Sequence, residues 1–273
     1  MAKFYLTRHS KTDYLEYDRI LSSDNPHAPF DHTKQELNDL SEEGIDHAEH
    51  SAQQFFEKLD PKTDQLFFLS SNEARAIATA DIYRRTAHQQ NFTVIPHPAS
   101  GSPLAAKLAG NEIQVIDELS VNPQDTLLFH AYSRGDFGPE YWKNEDPEFM
   151  KKWQQARAII NADNRGGWGA NFLAHSREVE KIFPQIESMD KYYQTNLQAI
   201  LKLVKKLHHQ FADTNVKVLA FGHEDYLVRM LQELFDQEGI KHCETISFDI
   251  SPENPDEIIV SSRGKINSIS AST

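Results

Sequence analysis

In the stretch "KFYLTRHSKTD", Lys3 to Asp13, an apolar run (Phe4-Tyr5-Leu6) stops almost at once against Arg8 and His9. Gly, Asn, Asp or Pro ordinarily close a strand. A fixed positive charge beside a titratable ring is therefore either an accident of the surface or part of a site. Two further stretches decide between these readings. "QLFFLSS", residues 65–71, is the continuous apolar run expected of a buried parallel strand. It ends in Ser70-Ser71, with Arg75 a turn later. "VKVLAFGH", residues 216–223, is the most convincing strand of the chain and ends in His223.

Helical patterns lie between these strands. Ser41 is a plausible N-cap, Glu42 and Glu43 suit a positive first turn, and Ile45, Ala48, Ala52, Phe55, Phe56 and Leu59 form an apolar stripe. A helix is expected from Glu73 to His88 and a third strand over "FTVIPH", 92–97. Another helix starts near Pro147, and "NADNRGGWGANF" after it reads as a glycine-rich loop. A long helix is expected from about Pro184 to Gln210 and a shorter one after His223. "TISFDI" and "EIIVSS" read as a closing hairpin. Strands alternating with helices imply an α/β fold with a mostly parallel central sheet flanked by helices. Residues 120–175, with Trp142, Trp153 and Trp168, break the rhythm. They read as an insertion rather than a linker, within a single domain spanning 1–273.

Composition narrows the function. The chain has 273 residues, 39% hydrophobic, enough for a substantial core. It has no apolar run long enough to span a membrane, and its N-terminus lacks a signal-peptide layout. A single cysteine, Cys243, excludes an intrachain disulfide and is compatible with a cytoplasmic location. The net charge of −13 disfavours nucleic acid and anionic membranes as partners. His47/His50 and His208/His209 sit among polar residues on expected helices and read as solvated faces rather than metal ligands. No cofactor and no metal are expected.

Ligands of such sheets sit beyond the carboxyl ends of the strands. Arg8, His9, Arg75 and His223 are expected to converge there, in an otherwise acidic chain. Guanidinium forks match phosphate oxygens and cannot titrate away. An imidazole beside them is favoured in its neutral, nucleophilic form and can accept a phosphoryl group.

The chain at this point resembles the histidine phosphatase superfamily, the phosphoglycerate-mutase-like enzymes. The opening motif R-H-G-E-T-D stands as Arg8-His9-Ser10-Lys11-Thr12-Asp13, and L-S/T-x-x-G…A as "LSEEGIDHA", Leu40 to Ala48. The S-S-x-x-x-R-A-x-x-T-A element stands as "SSNEARAIATA", Ser70 to Ala80, and the late G-H-E as Gly222 to Glu224. The resemblance implies a three-layer phosphoglycerate-mutase-like fold and a phosphomonoesterase that works through a phosphohistidine on a small phosphorylated metabolite. It implies His9 as phosphoryl acceptor and Arg8, Arg75, His223 and Thr12 as the phosphate cradle. Glu118 in "VIDELS" is the expected general acid, with Glu224 the alternative and Asp117 a third choice. Two positions depart from the pattern. Ser10 replaces a glycine, which is costly if φ is positive there. Lys11 replaces an acid, as an extra substrate contact or an exposed side chain. A mutase and a non-catalytic phospho-ligand-binding module are the alternative functions. Tyr132, Arg134, Tyr141, Trp142, Arg165, Trp168, His175 and, just beyond the insertion, Arg177 are the candidates for setting substrate preference. Oligomeric state is left open.

Overall fold

The computed structural model describes residues 2–12, 40–119, 147–162, 168–184, 189–212, 214–224 and 227–270. Its strands are β1 (Lys3–Arg8), β2 (Gln65–Ser70), β3 (Thr93–Val94), β4 (Ile113–Val115), β5 (Val216–Gly222), β6 (Thr245–Ile250), β7 (Glu257–Ser262) and β8 (Lys265–Ser270). Its helices are α1 (Glu42–Phe56), α2 (Ala74–Gln89), α3 (Pro103–Ala109), α4 (Pro147–Asn161), α5 (Trp168–Ala174), α6 (Ser176–Ile182), α7 (Met189–Gln210) and α8 (Val228–Phe235). The strands form one sheet in the order β3-β2-β5-β1-β6-β7-β8, with β4 also on β2. Contacts among β1 to β5 are parallel, and β6, β7 and β8 extend β1 as an antiparallel wing. The fold class is α/β, with helices on both faces of a mixed sheet.

The continuous apolar runs follow from this layering. Leu66, Phe68, Leu219 and Phe221 face Ala52 and Phe56 of α1, Ala76, Ile77, Ala80 and Tyr83 of α2, and Ala105 and Ala109 of α3. Their chain neighbours Phe67, Leu69, Val218 and Ala220 face Leu197, Ile200, Leu201 and Val204 of α7 and Met230 and Leu231 of α8. A strand buried on both faces cannot alternate polar with apolar.

Several expectations are corrected. "FTVIPH" is a strand only at Thr93–Val94. Pro96 and Pro98 bring no N–H donor to a ladder, and the upper part of β2's edge is taken by β4 instead. α3 and β4 were not expected. The wing has a third strand, β8, reached through Arg263 and Gly264, both with positive φ (48° and 75°), as a tight hairpin requires. Within the supposed glycine-rich loop, Trp168 to Phe172 belong to α5, where Ala170 and Phe172 are buried. Of the long helix the described part is Met189–Gln210, and Pro184 lies in a turn. Tyr132, Arg134, Tyr141, Trp142 and Arg165 lie outside the described residues.

The "LSEEG" element has a structural reason. Leu40 bridges to Thr12, and Ser41 Oγ accepts the Gly44 N–H at 3.0 Å as the N-cap of α1. A Cβ at Gly44 would stand 2.0 Å from the Lys11 carbonyl oxygen. The segment after His9 therefore lies directly on the first turn of α1. Both partners are backbone, so neither yields cheaply. Gly44→Ala should lower stability by about 1–3 kcal/mol, as overpacking does, measured by urea unfolding. It should also depress any activity that depends on His9. Unchanged stability would contradict this packing.

Candidate active site

The parallel register lines up the ends of three neighbouring strands. Arg8 pairs with Gly222 and Ser70 with Phe221. The ladder runs one step further on each side, His9 N–H donating to the Gly222 carbonyl at 2.9 Å and Ser71 N–H to the Phe221 carbonyl at 2.9 Å. His9, Ser71 and His223 thus leave the sheet side by side. All three are buried, and the rings of His9 and His223 have centroids 5.1 Å apart.

Both imidazoles are held by hydrogen bonds. His9 Nδ1 is 2.7 Å from the Ser10 carbonyl oxygen. A carbonyl only accepts, so Nδ1 carries the proton and the lone pair of neutral His9 is on Nε2. His223 Nε2 is 2.9 Å from Ser71 Oγ. Burial holds the His9 ring well below the ordinary histidine range, and Arg75, His223 and Arg8 push it further down. His223 is lowered in the same way by burial, then by Arg75 and Arg8. Both arginines therefore act on both rings.

Arg8 donates from Nη1 to the Ile240 carbonyl at 2.6 Å, and the same nitrogen stands 2.5 Å from Glu224 Oε2. Glu224 is buried, so this carboxylate helps fix Arg8. Arg75, in the first turn of α2, has Nη1 3.4 Å from Glu73 Oε2. Thr79, one turn on, links the two halves of the site. Its Oγ1 donates to the Arg75 carbonyl at 2.7 Å and accepts the Ser10 N–H at 3.0 Å.

The two departures in the opening motif are accommodated. Ser10 is not among the non-glycine residues with positive φ, and its hydroxyl donates to the Gly44 carbonyl at 2.6 Å. Lys11 is half-exposed and paired with Glu43 at 2.6 Å. Thr12 Oγ1 is buried without a hydrogen-bond partner among the described residues.

Glu118 and Asp117 are exposed in a short 3₁₀ turn beyond the end of β4. Glu118 also lines a cavity of ≈ 400 Å³ with Phe67, His97, Gln114, Leu203 and Lys206. Among the described residues no hydrogen bond or ion pair joins Glu118 to Arg8, His9, Arg75 or His223. Of the insertion candidates, His175 is half-buried ahead of α6 and Arg177 is exposed on it. No three His, Cys, Asp or Glu side chains among the described residues are grouped to hold a metal ion. No described helix is long and apolar enough to cross a membrane.

Sequence reasoning missed His242. Its ring centroid is 5.7 Å from that of His9, although more than two hundred residues separate them. Burial pushes it down to about 4, with Arg8, His47 and Lys11 adding to the shift. No motif marks "KHCE". The preceding helix and the wing place it.

No protein-family model matches the chain, and no curated protein matches it. It is similar to solved phosphatase structures at low identity. A phosphoserine phosphatase variant from Entamoeba histolytica, in complex with phosphoserine, is 13% identical over 96% of each chain, with a TM-score of 0.41. The alpha-ribazole phosphatase from Shigella flexneri is 13% identical over 96% of this chain and 94% of its own, TM-score 0.44. The ecdysone phosphate phosphatase from Bombix mori, in complex with tungstate, is 12% identical over 100% and 96%, TM-score 0.43.

The depressed histidines set a pH dependence. As pH falls below the ordinary value of 6.5, unfolded chains protonate these rings and folded ones do not. The unfolded state then binds more protons, so stability is highest above pH 6.5 and falls on acidification toward the folded values. The slope approaches about 1.4 kcal/mol per pH unit for each such ring. Urea unfolding between pH 7.5 and 5.5 should show this fall, and His223→Gln should reduce its steepness. A flat profile in the parent chain would contradict the buried neutral rings.

Proposed function

We propose that this chain is a phosphomonoesterase of the histidine phosphatase type, acting on a small phosphorylated metabolite through a phosphohistidine at His9. The observation that carries the reading is the grouping of two arginines around two buried imidazoles at the ends of adjacent parallel strands. One imidazole is held with its Nε2 lone pair free. Nε2 attacks phosphorus, an N–P bond forms and the ester P–O bond breaks. Arg8, Arg75 and His223 hold the equatorial oxygens, with Thr12 Oγ1 as a further donor. The leaving oxygen takes a proton from Glu118. Water then adds to phosphorus, the N–P bond breaks, the Glu118 carboxylate takes up a proton, and inorganic phosphate departs. No metal or cofactor enters these steps.

Glu118 is assigned by its place after β4, beyond the strand ends. Glu224 is the alternative, and its contact with Arg8 supports a holding role instead. An alkyl leaving group needs a proton as it departs, whereas an aryl one scarcely does. Glu118→Gln should cripple hydrolysis of alkyl phosphates yet largely spare p-nitrophenyl phosphate. Glu224→Gln should harm both. The opposite pattern moves the acid to Glu224.

Turnover of p-nitrophenyl phosphate, insensitive to EDTA, tests the function itself. Acid-free quenching followed by mass spectrometry should find the phosphoryl group on His9. His9→Ala should abolish turnover, and Arg75→Ala should reduce it by about 10²–10³ for the loss of a transition-state contact. Phosphate binding without turnover would indicate a binding module. Activity retained in His9→Ala would overturn the mechanism.

A further inference from the structure

The turn that carries His242 is held with unusual thoroughness. Glu244 N–H donates to the Lys241 carbonyl at 3.1 Å, closing a turn around His242 and Cys243. Cys243 has φ 56°, in the left-handed region that a turn's third position ordinarily gives to glycine. The turn is tied to β1 on both sides: Cys243 N–H donates to the Arg8 carbonyl at 3.0 Å, and Arg8 N–H to the Glu244 carbonyl at 3.1 Å. The Glu244 carboxylate accepts the Lys241 N–H at 2.8 Å. It is also gripped by both arms of Arg263, at 2.6 and 2.8 Å. Arg263, itself at φ 48° in the β7–β8 turn, donates in addition to the Gly239 carbonyl at 2.9 Å. Two strained non-glycine residues thus meet in one brace, and the brace fixes where His242 stands.

His9 has two imidazole neighbours, His223 at 5.1 Å and His242 at 5.7 Å. His223 is fully buried and bonded to Ser71. His242 is only partly buried, and no hydrogen bond joins its ring to a described residue. Neither ring nitrogen is committed to a described residue. Its ionisable neighbours are Arg8, His47 and Lys11. The acids nearby are already engaged: Glu43 by Lys11, Glu224 by Arg8 and Glu244 by Arg263.

We propose that His242 is a substrate contact that binds a second anionic group, a carboxylate or further phosphate a few bonds from the ester, with Lys11 and His47 at the rim of the same subsite. This rests on the phosphatase reading and narrows its substrate class. An imidazole N–H donates to such an oxygen. An anion against the ring also offsets the push of Arg8, so the ring can take up a proton with the ligand.

The test uses the full chain, with p-nitrophenyl phosphate turnover as the assay and two inhibitors as probes. Methylphosphonate carries the phosphonate alone, and phosphonoacetate carries it with a carboxylate. Phosphonoacetate should inhibit the parent chain about tenfold more tightly or better, as a hydrogen bond to a charged group allows. His242→Ala should abolish that preference, leave methylphosphonate inhibition within about twofold and melt at the parent temperature. His242→Gln, which keeps a donor, should restore part of it. Equal inhibition of the parent chain by both probes overturns the proposal. So does a His242→Ala variant that loses both inhibitors alike, since the ring would then act on His9 rather than on substrate. A parent chain that neither turns over p-nitrophenyl phosphate nor binds methylphosphonate removes the phosphatase reading itself.

Discussion

The site depends on the register between β5 and its two parallel neighbours. β5 lies between β1 and β2, and its last residues set the height at which Arg8-His9 and Ser70-Ser71 emerge. That register is locked by side chains far from any chemistry. Phe221 faces α2 and Ala220 faces α7 and α8. A slip of one residue would turn every core side chain of the strand to the wrong layer. The cost falls on the whole core, so the strand ends are held level. Two backbone hydrogen bonds past the strand ends, from His9 to Gly222 and from Ser71 to Phe221, carry this order into the site.

A second constraint fixes the loop that leaves His9. The carbonyl of Lys11 occupies the space a side chain at position 44 would need. Ser10 is held by Thr79 of α2 through its N–H and by Gly44 of α1 through its hydroxyl. The loop is thus clamped between two helices, and one of them also supplies Arg75. Thr79 bonds to both Ser10 and the Arg75 carbonyl, so the loop after His9 is tied to the helix bearing Arg75. Residues that look like separate motifs along the chain are one mechanical unit.

Much of this was legible in the sequence. β1, β2 and β5 stood out because strands buried on both faces read as apolar runs, and each ends abruptly in a polar side chain. α1 was legible from its cap and its stripe. α3 and β4 were not, because seven and three residues are too few to show a period. β8 was missed because "KINSIS" is a half-exposed edge with only two large apolar side chains. Arg8, His9, Arg75 and His223 were grouped from the polar ends of three expected strands, and the structure brings them together. His242 was hidden because its place depends on a strained turn and on a bidentate arginine from the β7–β8 hairpin. No local pattern records such a dependence.

The central claim is that His9 is a neutral imidazole with its proton on Nδ1 and its lone pair on Nε2. Long-range ¹H–¹⁵N correlation of the histidine rings, with His9 assigned by comparison with His9→Ala, reads this directly. The account predicts the Nδ1–H tautomer at pH 7 and no second protonation until the pH is well below 6.5. A His9 ring that is doubly protonated near pH 6, or that carries its proton on Nε2, would contradict it.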